Sequence, residues 1–243
     1  MIRTALISTW AILITVLCVL VAIVASFLKE GGDFAHLVGR FWAKSIVCVS
    51  RVKVSVRGLE HIDPSATYVY MANHQSMFDI LALLGYLPVQ FRWLAKMELF
   101  QIPVFGYSMA RVGYISIDRS NRRSAYKSLQ EAAQKIAQGV SVMVFPEGTR
   151  STDGQIKPFK GGGFHLAVRS GQPIVPVVIF GSHQVMPKGE LRIRRGQIIL
   201  SINPPIDTTH YKRNGKEALM ESVRATMKRD LERIKASQQS CLT

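Results

Sequence analysis

Cysteine is scarce in this chain: Cys18, Cys48 and Cys241 are the whole supply, and no two of them form a C-x-x-C pair. That scarcity argues against a disulfide framework or a zinc site and fits a reducing compartment. The 6 histidines are scattered, so no metal-ligating cluster stands out and no metal is expected. Acid is scarce too. Only 16 Asp and Glu face 31 Lys and Arg, a net charge of +15 with a pI near 10.1. Such an excess implies an anionic partner: nucleic acid, anionic lipid or a phosphorylated substrate. No DNA- or RNA-binding signature accompanies the charge, and Arg192, Arg194 and Arg195 make only a short cluster. Membrane phospholipid headgroups are the simpler explanation, and no nucleic-acid partner is expected. Internal repeats and low-complexity tracts are also lacking.

The longest absence is of charge itself, which is missing from Thr4 to Leu28. As a helix this run would extend roughly 37 Å, enough for the roughly 30 Å hydrocarbon core of a bilayer. It is too long for the apolar part of a signal peptide, has only Arg3 ahead of it and is followed by no clear A-x-A site. An uncleaved anchor is expected, spanning the membrane or lying in it. Gly31-Gly32 breaks the helix and Asp33 can cap a second one. There Phe34, Leu37, Val38, Phe41, Trp42, Ile46 and Val49 fall at helical spacing opposite Arg40 and Lys44. That face suits a helix in the membrane interface or one packed on a soluble core. Arg40, Lys44, Arg51, Lys53 and Arg57 crowd the C-terminal side of the first helix, which the positive-inside rule puts in the cytoplasm. Residues 1–50 are therefore read as membrane-anchoring helices and 51–243 as an α/β domain on the cytoplasmic face of the plasma (inner) membrane.

From Val52 the pattern changes to alternating strands and helices. Val52–Val56, Tyr68–Met71, Phe91–Ala95, Tyr114–Ile117, Ser141–Phe145 and Ile174–Phe180 read as strands. Helices are expected after Asp79, after Ser120 or Asn121, after the glycine trio Gly161–Gly163, and from Lys216 to Lys235. A hairpin around Gly196 would join Leu191-Arg192-Ile193 to Ile198-Ile199-Leu200. The predicted fold class is α/β, a largely parallel mixed sheet flanked by helices, with the membrane helix pair ahead of it.

Three polar motifs follow strands. The first, Asn73-His74-Gln75-Ser76-Met77-Phe78-Asp79, sets a histidine at a strand-to-helix corner and an aspartate in the first helical turn, with Ser76 as a natural N-cap. A carboxylate beside an imidazole fixes its tautomer and stabilises the imidazolium, as a general base requires. The second is Asp118-Arg119 and the third Glu147-Gly148-Thr149-Arg150. In parallel βαβ units the C-terminal ends of strands share one sheet edge, so the three should converge into one site. Arg119 and Arg150 supply planar donors that match a phosphate. Gly148 admits a close backbone approach, and Glu147 can orient an arginine or accept from a substrate hydroxyl. Lys157 and Lys160 could add an anion contact or be a basic loop.

These motifs, with Gly113-Tyr114-Ile115-Ser116-Ile117-Asp118-Arg119, Phe145-Pro146-Glu147-Gly148-Thr149-Arg150-Ser151 and Ile174-Val175-Pro176-Val177, resemble the four ordered blocks of the glycerolipid acyltransferases. The wording of the first and third is most similar to the 1-acyl-sn-glycerol-3-phosphate acyltransferase branch. The resemblance covers about residues 73 to 179, and a membrane helix pair ahead of the domain fits the family as well. It implies acyl transfer from acyl-CoA or acyl carrier protein to the sn-2 hydroxyl of lysophosphatidic acid, giving phosphatidic acid in phospholipid biosynthesis. It further implies catalysis by His74 and Asp79, phosphate and glycerol binding by Arg119, Glu147, Gly148, Thr149 and Arg150, and no cofactor. Another lyso-lipid acceptor is an alternative. So is a membrane-bound serine hydrolase, because Gly106-Tyr107-Ser108-Met109-Ala110 approaches a G-x-S-x-G elbow with His165, His183 or His210 as partner.

Overall fold

The computed structural model describes residues 2–28, 32–118, 122–211 and 215–240. The chain opens with two antiparallel helices, α1 (Ile2–Leu28) and α2 (Asp33–Val49). Next come β1 (Val52–Arg57), β2 (Val69–Ala72), α3 (Phe78–Tyr86), β3 (Arg92–Lys96), α4 (Met97–Phe100), α5 (Phe105–Arg111) and β4 (Ile115–Ile117). The second half holds α6 (Arg122–Ala137), β5 (Val142–Val144), α7 (Gly161–Ser170), β6 (Ile174–Phe180), α8 (Ser182–Val185), β7 (Gly196–Ile202) and α9 (Lys216–Ser240).

The strands form one sheet in the order β1-β7-β6-β2-β5-β3-β4. All neighbours are parallel except β6 and β7, so the expected largely parallel mixed sheet is what forms. The central strand β2 is buried on both faces. Its side chains alternate as a strand's must: Tyr70 and Ala72 join one core, with α2 and α3, while Val69 and Met71 join the other, with α6, α7 and α9. On α9 the stripe Leu219, Val223, Met227, Leu231 and Ile234 is almost wholly buried, each residue contributing roughly 1.5–3 kcal/mol by leaving water.

The hairpin expected around Gly196 does not form. β7 already has β1 on one side and β6 on the other, so the 191–195 segment finds no free edge. Its backbone turns to α1 instead, the Ile193 N–H donating to Thr4 Oγ1 at 3.3 Å and the Ile193 carbonyl accepting from the Arg3 guanidinium at 3.1 Å.

The helix pair is held by its own polar tips. Trp10 Nε1 donates to Ser45 Oγ at 2.9 Å and Trp42 Nε1 to Thr15 Oγ1 at 2.8 Å. Gly31 lies outside the described residues, but Gly32 makes the break: its φ is 73°, and a Cβ there would come 2.3 Å from the Val112 carbonyl oxygen. Asp33 begins α2 and bonds Arg92 at 2.6 Å rather than capping its own helix. Toward the domain α2 buries Ala35, His36, Ala43, Ile46 and Val47; Phe34, Leu37, Phe41 and Val49 stay exposed beside Leu6, Leu13, Leu17, Leu20 and Val24 of α1. Both ends of α1 rest on the domain. At its start Arg3 donates to the Ile193 carbonyl at 3.1 Å; at its end Phe27 lies under the Arg111 guanidinium, 4.7 Å from the ring centroid.

Candidate active site

The site grows from the end of β2. Past Ala72 the backbone ladder to β6 stops, and the buried Asn73 amide replaces it, accepting from the Ile179 N–H at 2.7 Å and donating to the Ile179 carbonyl at 2.9 Å. That clamp fixes where His74 leaves the sheet. Five residues after His74, Asp79 sits in the first turn of α3 with no exposure at all. Its Oδ2 accepts from the Gln75 N–H at 2.6 Å, the Ser76 N–H at 2.8 Å and His74 Nδ1 at 2.8 Å. Oδ1 has no partner, so every hydrogen bond converges on the oxygen facing the imidazole. The bond from Ser76 is the returning half of a capping box; the bond to Nδ1 turns the same carboxylate into an orienter. Nδ1 then carries the proton and Nε2 is left as the basic nitrogen.

The imidazole is also held by its faces and its backbone. Phe145, just past β5 and therefore beside β2, stacks on His74 with centroids 3.9 Å apart and planes 10° from parallel. Trp93 stacks behind Phe145 at 5.4 Å. The His74 N–H donates to Glu147 Oε1 at 2.7 Å, the Lys157 N–H donates to Glu147 Oε2 at 3.0 Å, and the His74 carbonyl accepts from the Ser151 N–H at 2.7 Å. Burial pushes the Glu147 carboxyl up to about 7, against the two backbone N–H groups that favour its charge. Gly148, at φ 72°, closes the turn by returning its N–H to the Phe145 carbonyl at 3.1 Å.

A buried acid holding an imidazole with one free nitrogen is an arrangement that can act as a general base, and basic residues of the 150–160 loop lie beside it. A family model described as acyltransferase matches residues 53–180. The chain belongs to the acyltransferase family.

Among its relatives, this acyltransferase is 38% identical over 175 residues to a chloroplastic 1-acyl-sn-glycerol-3-phosphate acyltransferase of Brassica napus, covering 71% of this chain and 50% of the relative. It is 39% identical over 177 residues to the human 1-acyl-sn-glycerol-3-phosphate acyltransferase alpha, covering 72% of this chain and 62% of the human protein. The chain thus spans about half to three fifths of these relatives. Its fold is similar to the crystal structure of the 1-acyl-sn-glycerophosphate (LPA) acyltransferase PlsC from Thermotoga maritima, with a TM-score of 0.81 and 30% identity over 97% of both chains.

Of the residues expected to form the site, the acyltransferase brings His74, Asp79 and the 147–150 turn together. Arg119 lies outside the described residues; Asp118 before it follows β4, two strands from β5. Glu147 faces inward, not toward the rim. Only 2% exposed, it spends both oxygens on backbone N–H groups and ties the first motif to the third. Thr149 is exposed and accepts from Lys188 Nζ at 3.3 Å, and Lys157 Nζ donates to the Arg150 carbonyl at 3.3 Å. Ser76 caps as expected, accepting from the Phe78 N–H at 3.2 Å, and its Oγ donates to the Met186 carbonyl at 2.7 Å.

Ser108 is no nucleophile. It lies within α5, 5% exposed, with Oγ donating to the Phe105 carbonyl at 2.7 Å, whereas an elbow needs an exposed serine at a strand-to-helix turn. Two contributors went unread in the sequence. Phe145 looked like the end of a buried strand, and its stacking on His74 needs the β2–β5 pairing to be known. Lys96 ends β3, which lies between β5 and β4, so the sheet order puts a further cation at the edge that carries the 147–150 turn.

Proposed function

We propose that this acyltransferase transfers an acyl group from a thioester, acyl-CoA or acyl carrier protein, to the sn-2 hydroxyl of 1-acyl-sn-glycerol-3-phosphate, making phosphatidic acid. The names of its relatives specify that acceptor, and the observation that carries the reading is the buried Asp79 holding His74 Nδ1 at 2.8 Å. His74 Nε2 takes the proton as the glycerol oxygen attacks the thioester carbonyl. The tetrahedral oxyanion collapses, the C–S bond breaks, and the imidazolium returns its proton to the departing thiolate. Asp79 balances the charge that appears on the ring. Such a base typically contributes about 10²–10⁴-fold, and alignment of the two substrates supplies much of the remainder. The thioester is already activated, so the scheme uses no cofactor, no metal and no covalent nucleophile.

Arg150, Arg119 and Lys96 would hold the phosphate, with Gly148 and Thr149 at the glycerol end. The helix pair serves as the membrane seat. A helix whose two ends both rest on the same domain suits a position along one leaflet, its exposed leucines and phenylalanines in the acyl layer, which brings the active-site edge to the lipid substrate. By the excess of basic residues after α1, that leaflet is the cytoplasmic one of the plasma membrane. Purified protein assayed with a panel of lyso-phospholipids and both donor types tests the reading. Lysophosphatidic acid should be the preferred acceptor; transfer to lyso-lipids of other headgroups with equal efficiency would overturn it.

A further inference from the structure

The 186–195 segment joins the active-site corner to the first turn of α1. At one end the Met186 carbonyl accepts from Ser76 Oγ and Lys188 reaches Thr149. At the other, Ile193 is bonded through its backbone to Thr4 and Arg3. Between them the loop carries Lys188, Arg192, Arg194 and Arg195, with Leu191 86% exposed. Arg3, fixed to the Ser50 carbonyl, lies within the field of Arg195 and Arg51. Arg194 pairs with Glu190 at 2.7 Å. Among the described residues no ion pair reaches Arg3, Arg51, Arg192 or Arg195.

Glu190 is taken up by Arg194, so Arg3, Arg51 and Arg195 face one another without a carboxylate of their own; such guanidiniums repel one another, and an external anion relieves that repulsion. Arg51 adds a second sign. It follows α2 with φ 50°, a left-handed position that glycine fills with less strain, and its exposed side chain adds to the positive field at Arg3. The patch also continues an apolar surface: Leu6 of α1, three residues past Arg3, is 66% exposed. An exposed leucine inside a basic loop, beside an apolar helix, matches a bilayer surface, where anionic headgroups meet acyl chains.

We propose that the 187–195 loop, with Arg3 and Arg51, docks on the headgroups of anionic phospholipids while Leu191 enters the acyl layer, so that the rim of the active site is itself held on the leaflet. The proposal rests on the membrane seating of the helix pair. The test uses the full chain carrying Leu191→Trp, in vesicles of phosphatidylcholine with brominated acyl chains, with or without a minority of phosphatidylglycerol. The native Trp10 and Trp42, on the helix pair, report on seating in the parent protein. The expected result is quenching at position 191, increased by phosphatidylglycerol, with that increment lost in Arg192→Gln/Arg195→Gln. Near a membrane each arginine is worth about a fivefold change in association, so the double variant should associate about 25-fold more weakly and need more phosphatidylglycerol for the same quenching. Quenched native tryptophans with an unquenched Trp at 191 would overturn the loop proposal alone; no quenching anywhere would overturn the membrane seating too. An increment unchanged in the double variant overturns the headgroup assignment. A rise confined to the KM of a protein-bound acyl donor would move the patch to an acidic carrier protein and overturn it equally.

Discussion

Replacing Asp79 by Asn separates orientation from packing. The side chain keeps its size, and one amide oxygen still accepts from Gln75 and Ser76, which hold Oδ2 at 2.6 and 2.8 Å. What is lost is the charge 2.8 Å from His74 Nδ1, at a position with no solvent exposure. Because Oδ2 takes all three bonds, the amide oxygen stays there; a nitrogen in its place would face the Gln75 and Ser76 N–H groups. The tautomer survives but the imidazolium is no longer balanced. That removes most of a general base's typical contribution of about 10²–10⁴-fold, so kcat should fall about 10³-fold, roughly 4 kcal/mol of barrier. KM for the acceptor should change little, because the interaction matters when the ring becomes charged. Losing the charge-assisted cap should cost about 1 kcal/mol of stability, so the variant still folds. Thiol release from an acyl thioester with lysophosphatidic acid in detergent micelles measures kcat, and thermal unfolding checks the fold. His74→Ala and the double variant should fall to a similar floor, because the two side chains act as one unit. A kcat for Asp79→Asn within tenfold of wild type, at unchanged stability, would refute the reasoning.

Glu147→Gln should lower kcat on the order of 10–100-fold, since one of the two backbone N–H groups loses its acceptor and the His74 corner shifts; kcat with KM from initial rates reads this. Ser108→Ala should leave acyl transfer within about twofold of wild type, as a buried hydroxyl facing its own helix does no chemistry, and a dead Ser108→Ala enzyme of normal stability would revive the hydrolase. The pH dependence of stability contains two opposed contributions. His36, buried against Phe91, is lowered from 6.5 to about 4 by burial and then by Arg92 and Arg40. The unfolded chain binds the extra proton, so this stability is present above pH 6.5 and is lost as pH falls toward 4, by about 3 kcal/mol at most. Glu147 is raised from 4.5 to about 7, so its contribution is present below pH 4.5 and is lost as pH rises through 7, by a similar amount. Urea unfolding from pH 4 to 7 should therefore show stability falling with pH in His36→Leu and rising with pH in Glu147→Gln; parallel curves for the two variants would contradict both assignments.

Much of this molecule was legible from residue order. The charge-free run from Thr4, the alternation of strands and helices, and the pairing of His74 with Asp79 all rest on local rules: helical and strand periods, and a carboxylate one turn from a cap. The Gly196 hairpin failed because a local alternation cannot reveal that β7 is already paired on both edges. Glu147 looked like a ligand because an acid after a strand usually points outward; only the fold turns it onto the N–H groups of His74 and Lys157. Ser108 looked like an elbow until α5 placed it mid-helix.

Residue order alone sets the elements, the chemical groups and the strand ends at which they sit, because these depend on neighbours a few residues apart. Only the tertiary structure decided which strand lies beside which. Sheet order put Phe145 on the face of His74, Lys96 at the rim and the 186–195 loop between the active site and α1. Such contacts join residues far apart in the chain, and no local period encodes them.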